Sequence, residues 1–255
     1  MNLIQKITIR KSPAIITGWI VLLCLISPVS AEQNYEPADR LFLSRLSHSN
    51  AVEALQLYRD YFASDPGDPE TAWRVSMACY FAGYFIAKSK EDKKKLFAEG
   101  RDAGLISLKL NPNSASSCFW TAVNMTLYGQ TVGVIKMFFT LKTVKALFEK
   151  SCQLDPGYAH GGAYRMLGKI EQEVPALLGG SSRMAKKYYE EAIRVAPDEP
   201  LNYLFLADLQ YKIFKDKKSA YDIVMKGLSL PVPDPSRYES LWASRELKKF
   251  AKQLM

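Results

Sequence analysis

A proline that closes one helix after another is the feature that most limits what this chain can become. In "VKALFEKSCQLDP" (144–156) Phe148 stands eight residues before Pro156, and in "AKKYYEEAIRVAP" (185–197) Tyr189 stands eight before Pro197. "AVEALQLYRDYFASDP" repeats the spacing with Tyr58 and Pro66, and "GRDAGLISLKLNP" keeps it with Gly104 in place of the aromatic and Pro112 at the end. A fifth, looser copy, "SAYDIVMKGLSLPVP", finishes near Pro231 and Pro233. The intervals between Pro66, Pro112, Pro156 and Pro197 are 46, 44 and 41 residues. Proline cannot extend a helix, so each marks the end of a helical segment. A unit recurring every forty-odd residues means stacked supersecondary modules.

Each interval also holds an earlier helical stretch. "AWRVSMACYFAGYF" places Trp73 and Tyr80 seven apart, two turns along one face; "FWTAVNMTLYG" starts from Trp120, "AYRMLGKIEQE" joins Tyr164 to Leu167 and Gly168, and "NYLFLADLQY" joins Tyr203 to Leu206 and Ala207. An aromatic knob on one helix and Gly or Ala on its partner is what two antiparallel helices need in order to pack closely. Strand-like alternation is absent, and the expected fold is all-α, an array of helical hairpins. With 255 residues, 48% of them hydrophobic and 12% aromatic, the chain has enough apolar material for such a core.

Residues 1–31 follow a different logic. Lys6, Arg10 and Lys11 make a basic start, "AIITGWIVLLCLI" is a short apolar run, and "VSA" ends the segment with small residues suited to a signal peptidase. This reads as a cleaved secretory signal; an uncleaved anchor is the alternative, although it calls for about 20 apolar residues and this run is flanked by Pro13 and Pro28. Leu23 precedes Cys24 where a lipoprotein signal would carry Gly or Ala, which argues against lipidation. The expected organisation is thus a signal at 1–31, a helical repeat domain over 32–235 and a capping helix over 236–255, begun at Asp234-Pro235.

Without its first 31 residues the chain holds 31 basic and 26 acidic side chains. The positive runs "KSKEDKKKLF" and "FKDKKS" are mixed with acids and lack interleaved aromatics, so they read as solvated helix ends and not as a nucleic-acid groove. Cys79, Cys118 and Cys152 are widely spaced with no CxxC pair, and no metal or cofactor is expected. His48 and His160 are the only histidines, neither stands in an HExxH pattern, and no Gly-x-Ser-x-Gly or phosphate-loop spacing occurs. No catalytic residue is assigned, and an enzyme is not expected.

The large residue, Leu-Gly pair, small residue, aromatic and closing proline resemble tetratricopeptide repeats, most clearly in 144–168 and 185–207. A narrower resemblance rests on the signal segment, the lengthened repeats, Gly161-Gly162 in "LDPGYAHGGAYRMLGKI", and Pro175 with Gly179-Gly180 in "VPALLGGSSRMAKKYYEE". These look like the T component (TatT) of tripartite ATP-independent periplasmic (TRAP) transporters. That resemblance implies a periplasmic tetratricopeptide-like α-solenoid with a C-terminal capping helix. It also implies docking of the transporter's substrate-binding P component and presentation of a small organic or hydrophobic ligand. The repeats alone support a more general scaffold for protein partners in envelope assembly.

In a solenoid of this kind the first helices line the concave side. Counting one position past each large residue points inward Arg74 and Phe81; Met125 and Tyr128; Arg165, Lys169 and Gln172; Leu204, Asp208 and Tyr211. Arg165 and Lys169, one turn apart, are the pair expected to hold a carboxylate, although such a pair is also what a solvated face carries. Gly161-Gly162 reads as a turn of positive φ and "LGGSS" as a turn leading to a serine N-cap, Ser181 or Ser182. The apolar stretch 129–143 reads as an insertion between two helices of one unit, either packed under the solenoid or forming a homo-oligomer contact.

Overall fold

The computed structural model describes residues 33–255, without the side chains of 134–138; the proposed signal segment lies outside the described residues. Asn34–Met255 form one compact unit. Its helices are α1 (Glu36–Leu43), α2 (His48–Ser64), α3 (Pro69–Phe81), α4 (Lys90–Leu110), α5 (Ala115–Val132), α6 (Val134–Leu154), α7 (Gly162–Glu173), α8 (Ser182–Val195), α9 (Pro200–Lys212), α10 (Lys217–Leu228) and α11 (Tyr238–Leu254). A π turn, Ala82–Ile86, prolongs α3, and a 3-10 turn, Ala176–Leu178, separates α7 from α8. Among the described residues there is no strand. Over those residues the architecture is a tetratricopeptide-like solenoid of five hairpins, α1/α2 to α9/α10, with α11 last.

Every predicted proline stop falls just beyond a second helix: α2, α4, α6 and α8 end at Ser64, Leu110, Leu154 and Val195. The start signals are equally local. Asp68 accepts from the Glu70 and Thr71 amides, Ser114 from Ser117, Ser181 from Met184 and Asp216 from Ser219, each satisfying an orphan N–H of a first turn. Gly161, at φ 74°, is the left-handed residue that turns the chain into α7.

The knob-and-notch pairing is direct. Tyr58, Phe148 and Tyr189 are fully buried, each at the centre of its hairpin. A Cβ on Gly168 of α7 would stand 2.5 Å from the Tyr189 ring of α8. Where α4 carries Gly104 in place of the aromatic, a Cβ there would collide with Thr121 of α5, so the missing ring lets the next hairpin come close. The backbones of successive first helices come close along the inner side, α3 to α5, α5 to α7 and α7 to α9, while the second helices stand further apart and meet through long side chains such as Arg59 of α2 on Glu99 of α4. That difference in spacing is the curvature, with the first helices on the concave face.

Two expectations are corrected. Residues 129–143 form no loop: α5 runs on to Val132 and α6 begins at Val134, with only Gly133, at φ 119°, between them. The lengthened repeat is absorbed as extra helical turns of α5 and α6, which have 18 and 21 residues. At the other end α11 starts at Tyr238 and not at Asp234-Pro235, because Asp234 spends its carboxylate on a tight turn with the Ser236 amide at 2.8 Å.

Candidate functional site

The concave face is not an empty trough, because α11 lies across it. Its C-terminal two-thirds belong to the last hairpin: Leu247 and Leu254 are buried with Ala207, Ala220 and Val224, and Phe250 meets the Tyr211 ring at 5.6 Å. Its first turn reaches the opposite end of the solenoid. The Tyr238 ring packs edge-on against Phe81 and Phe85, both at 4.9 Å, and lies 6.1 Å from His48. Arg45, in the turn between α1 and α2, donates to Glu239 at 2.7 Å. Arg237 holds Asp198 and Glu199, each at 2.9 Å, and Ser240 donates to Glu199 at 2.6 Å. The helix thereby ties the first hairpin to the fifth.

Beside this strut runs an aromatic belt from the first helices. Tyr80 stacks on Tyr84 at 6.0 Å and tilts onto Trp120 at 5.2 Å, and Trp120 donates its indole N–H to the Tyr158 hydroxyl at 2.8 Å. Burial, and then the nearby Glu239 carboxylate, push the Tyr80 hydroxyl well above its usual range. Burial, and then the neighbouring Arg237, depress the His160 imidazole below its ordinary value. The belt is neutral and apolar around neutral pH; the charges lie at its margin.

The ten residues predicted for the inner wall are on the first helices, but most are committed within the chain. Arg74 pairs with Asp39 at 3.1 Å and Glu70 at 2.9 Å, its guanidinium lying over the Tyr35 and Trp73 rings. Phe81 is fully buried. Met125 packs in the cluster around Phe148, and the Tyr128 ring carries Arg101 at 4.4 Å. Gln172 and Asp208 do come together, at 3.0 Å, with Gln172 also accepting from Tyr189 and Asp208 held by Lys212. Leu204 and Tyr211 pack against the last hairpin and α11.

Arg165 and Lys169 do not converge. Arg165 is buried and donates to the His160 and Ala159 carbonyls at 2.5 and 3.0 Å and to Asn202 Oδ1 at 2.6 Å, whereas Lys169 turns outward to Glu173 at 2.7 Å. The same arginine fork that suits a carboxylate here ties the α7 turn to α9. Helical spacing put the two residues on neighbouring positions; the rotamers separate them.

Sequence reasoning did not single out Arg45, Glu239 or Tyr238. The first lies between helices and the others on an expected cap, and nothing local pairs Arg45 with a carboxylate 194 positions away. A second hollow, of about 530 Å³, opens on the outside between α6, α7 and the 174–180 turn, crossed by the Lys145–Glu171 pair at 2.5 Å. Among the described residues no cluster of His, Cys, Asp or Glu is arranged to hold a metal, and no helix is long and apolar enough to cross a membrane. The cysteines Cys79, Cys118 and Cys152 are buried and unpaired, with burial pushing the Cys152 thiol up to about 12.

Comparison with known proteins resolves the ancestry. A family model, "Regulator of microtubule dynamics protein 1-3", matches residues 34–255, the entire helical unit including α11. The chain belongs to that family. Regulator of microtubule dynamics protein 1 of Caenorhabditis elegans is 22% identical over 214 residues, 78% of this chain and 91% of that protein. The Bos taurus protein of the same name is 26% identical over 207 residues, 74% of this chain and 62% of that protein, so the match spans less than two-thirds of the bovine relative.

The TatT resemblance is therefore overturned. Its Gly-Gly turns are present, but Gly161 and Gly179 are positive-φ turns that any such hairpin array can use. Membership of the regulator family removes the basis for a TRAP substrate-binding partner and its ligand. Among solved structures, TTC0263, a tetratricopeptide protein of Thermus thermophilus, aligns with a TM-score of 0.60 at 18% identity, covering 82% of this chain and 98% of that one. Pseudomonas aeruginosa PilF aligns at 0.50 and 16% identity, covering 86% and 91%. Both likenesses concern the fold.

Proposed function

We propose that this chain is a non-enzymatic adaptor that binds protein partners through its helical hairpins. The observation that carries the reading is the match of the regulator family over the whole solenoid, α11 included, so that the shared unit is the stack of hairpins as a whole. Stacked hairpins offer a large, rigid, curved surface whose side chains vary while the packing positions stay fixed, which suits recognition of an extended partner. The names of the relatives make tubulin and microtubule-associated proteins the first partners to test.

The excess of basic over acidic side chains supports attraction to an acidic partner surface. Residues 1–31, with a basic start and an apolar run, support delivery of this adaptor to or across a membrane. The test is co-sedimentation of the purified chain with taxol-stabilised microtubules across a salt series. Binding that saturates in the micromolar range and weakens with salt supports the reading; no enrichment in the pellet at any salt concentration removes the microtubule assignment. Fractionation of cells expressing a C-terminally tagged full chain, with N-terminal sequencing of the product, tests the delivery segment.

A further inference from the structure

The turn between α1 and α2 forms a receptor that α11 fills incompletely. Arg45 is buried, its guanidinium lying over the Phe42 ring at 4.7 Å and the Phe81 ring at 5.5 Å. It donates to the Phe42 carbonyl at 3.1 Å and, through one nitrogen, to Glu239 at 2.7 Å. The Nε–H of the same guanidinium is buried with no partner. Elsewhere in the molecule an arginine meets a carboxylate in full: Arg59 uses Nε and its neighbouring nitrogen on both oxygens of Glu99, at 2.6 and 2.7 Å. Glu239 engages only half of the equivalent edge of Arg45. A buried charged donor left open is costly, and a carboxylate presented squarely would satisfy both prongs.

Next to this charge is an aromatic seat. Phe81 and Phe85 take the Tyr238 ring edge-on, and His48 Nε2 lies 3.4 Å from the Tyr238 hydroxyl. The start of the occupant has no side-chain cap at Arg237, and the linker before it contains Pro231, Pro233 and Pro235, with Val232 exposed, while on its other side Arg237 and Ser240 hold it to Asp198 and Glu199. The rest of α11 is anchored independently by Leu247 and Leu254. Tyr238 and Glu239 can therefore leave their seat while Arg237, Ser240 and the rest of α11 stay attached to the last hairpin.

Taking the adaptor reading as its premise, we propose that Arg45 with His48, Phe81 and Phe85 is a recognition site for a protein segment carrying an aromatic residue followed by an acidic one. The Tyr238-Glu239 pair is its internal, imperfect occupant. A partner segment with that pair displaces Tyr238 and Glu239 and places its carboxylate across both prongs of Arg45. The seat between the first two hairpins is then occupied by the partner, while the last hairpin keeps its own helix.

The experiment uses the full chain and a fluorescein-labelled peptide of sequence PSRYESLWASRE, read by fluorescence anisotropy. The Tyr238→Ala/Glu239→Ala variant, which vacates the site, is expected to bind the peptide at least about tenfold more tightly than the unaltered chain, since competition from the internal pair is gone. Replacing the tyrosine or first glutamate of the peptide by alanine, or adding Arg45→Gln to the variant, is expected to cost about tenfold or more. Equal binding by the vacated and unaltered chains overturns the proposal, as does indifference to the peptide's acid. Glu239→Gln, which keeps the side chain's shape, provides the same comparison should the double variant not fold. Peptide binding with no microtubule co-sedimentation would leave this site standing and remove only the microtubule assignment; the converse would remove the site alone.

Discussion

Gly168→Ala tests the packing rule on which the solenoid rests. The added methyl would stand 2.5 Å from Tyr189 Cε1 and 2.7 Å from Cδ1, far inside van der Waals contact. The ring cannot swing aside easily: Tyr189 is fully buried, its hydroxyl donates to Gln172 at 2.9 Å, and Phe205 packs on it at 5.8 Å. Overpacking of this kind costs about 1–3 kcal/mol. Against it stands the gain from replacing a mid-helix glycine, about 0.5–1 kcal/mol. With the ring held in place the clash prevails, for a net loss of up to about 2.5 kcal/mol, or up to roughly 10 °C in melting temperature for a unit of this size. Urea unfolding followed by circular dichroism at 222 nm measures it. In a Tyr189→Leu background the ring is gone and the same Gly168→Ala change should become neutral or stabilising by about 0.5–1 kcal/mol. If Gly168→Ala stabilises the chain that carries Tyr189, or acts equally in both backgrounds, the knob-and-notch account is refuted. Gly157→Ala, where the nearest atom is 3.5 Å away, is the control and should stay within about 0.5 kcal/mol.

Three further outcomes follow from the polar contacts. Arg165→Met should lower unfolding free energy by about 2–4 kcal/mol, because the Ala159 and His160 carbonyls and Asn202 lose a charged donor, and the same denaturation assay reads it. Burial alone would raise the Asp68 carboxyl, but hydrogen bonds from Thr71, Tyr35 and the α3 amides outweigh it and hold it below the usual carboxylate value. Its stabilisation is therefore complete above the unfolded value near pH 4 and lost as pH falls through the lower folded value, so Asp68→Asn should flatten the acid limb of a stability profile below about pH 4. Glu171→Ala should leave Lys145 without its 2.5 Å partner beside the outer hollow and cost about 1–3 kcal/mol, checked by thermal melting at low and high salt.

The fold could be read from the sequence because its determinants are local. A proline stop, a cap three residues from its amide and an aromatic facing glycine each act within one hairpin, and their period repeats the message. Tyr189 against Gly168 is the clearest case. The inner wall was read only as to helix and face: position along a helix does not determine rotamer, so Arg165 and Lys169 part company, and Phe81 goes to the core. The seat of α11 had no local signal, because Arg45 and Glu239 meet only after the whole array has curved. The ancestry was misread for a related reason: Gly161 and Gly179 report a left-handed turn, a requirement of backbone geometry that unrelated hairpin arrays share.

That curvature has a consequence for cooperativity. In an open solenoid each hairpin touches only its neighbours, so the ends fray independently and unfolding spreads one unit at a time. Here α11 joins the first hairpin to the fifth through Arg45–Glu239 and Tyr238, and locks the start of α9 through Arg237 and Ser240 on Glu199. Loosening either end weakens contacts at the other, so the array should unfold as one unit while the strut is seated. Adaptor and strut are then linked by energetics: any partner that displaces Tyr238-Glu239 also releases the two ends from each other, and its binding must provide enough to offset that lost coupling. Hydrogen exchange would show the link as faster exchange in α9 when Glu239 is replaced, although Glu239 itself touches the opposite end of the molecule. Unchanged α9 protection in Glu239→Gln would mean that the strut holds the ends side by side without coupling them.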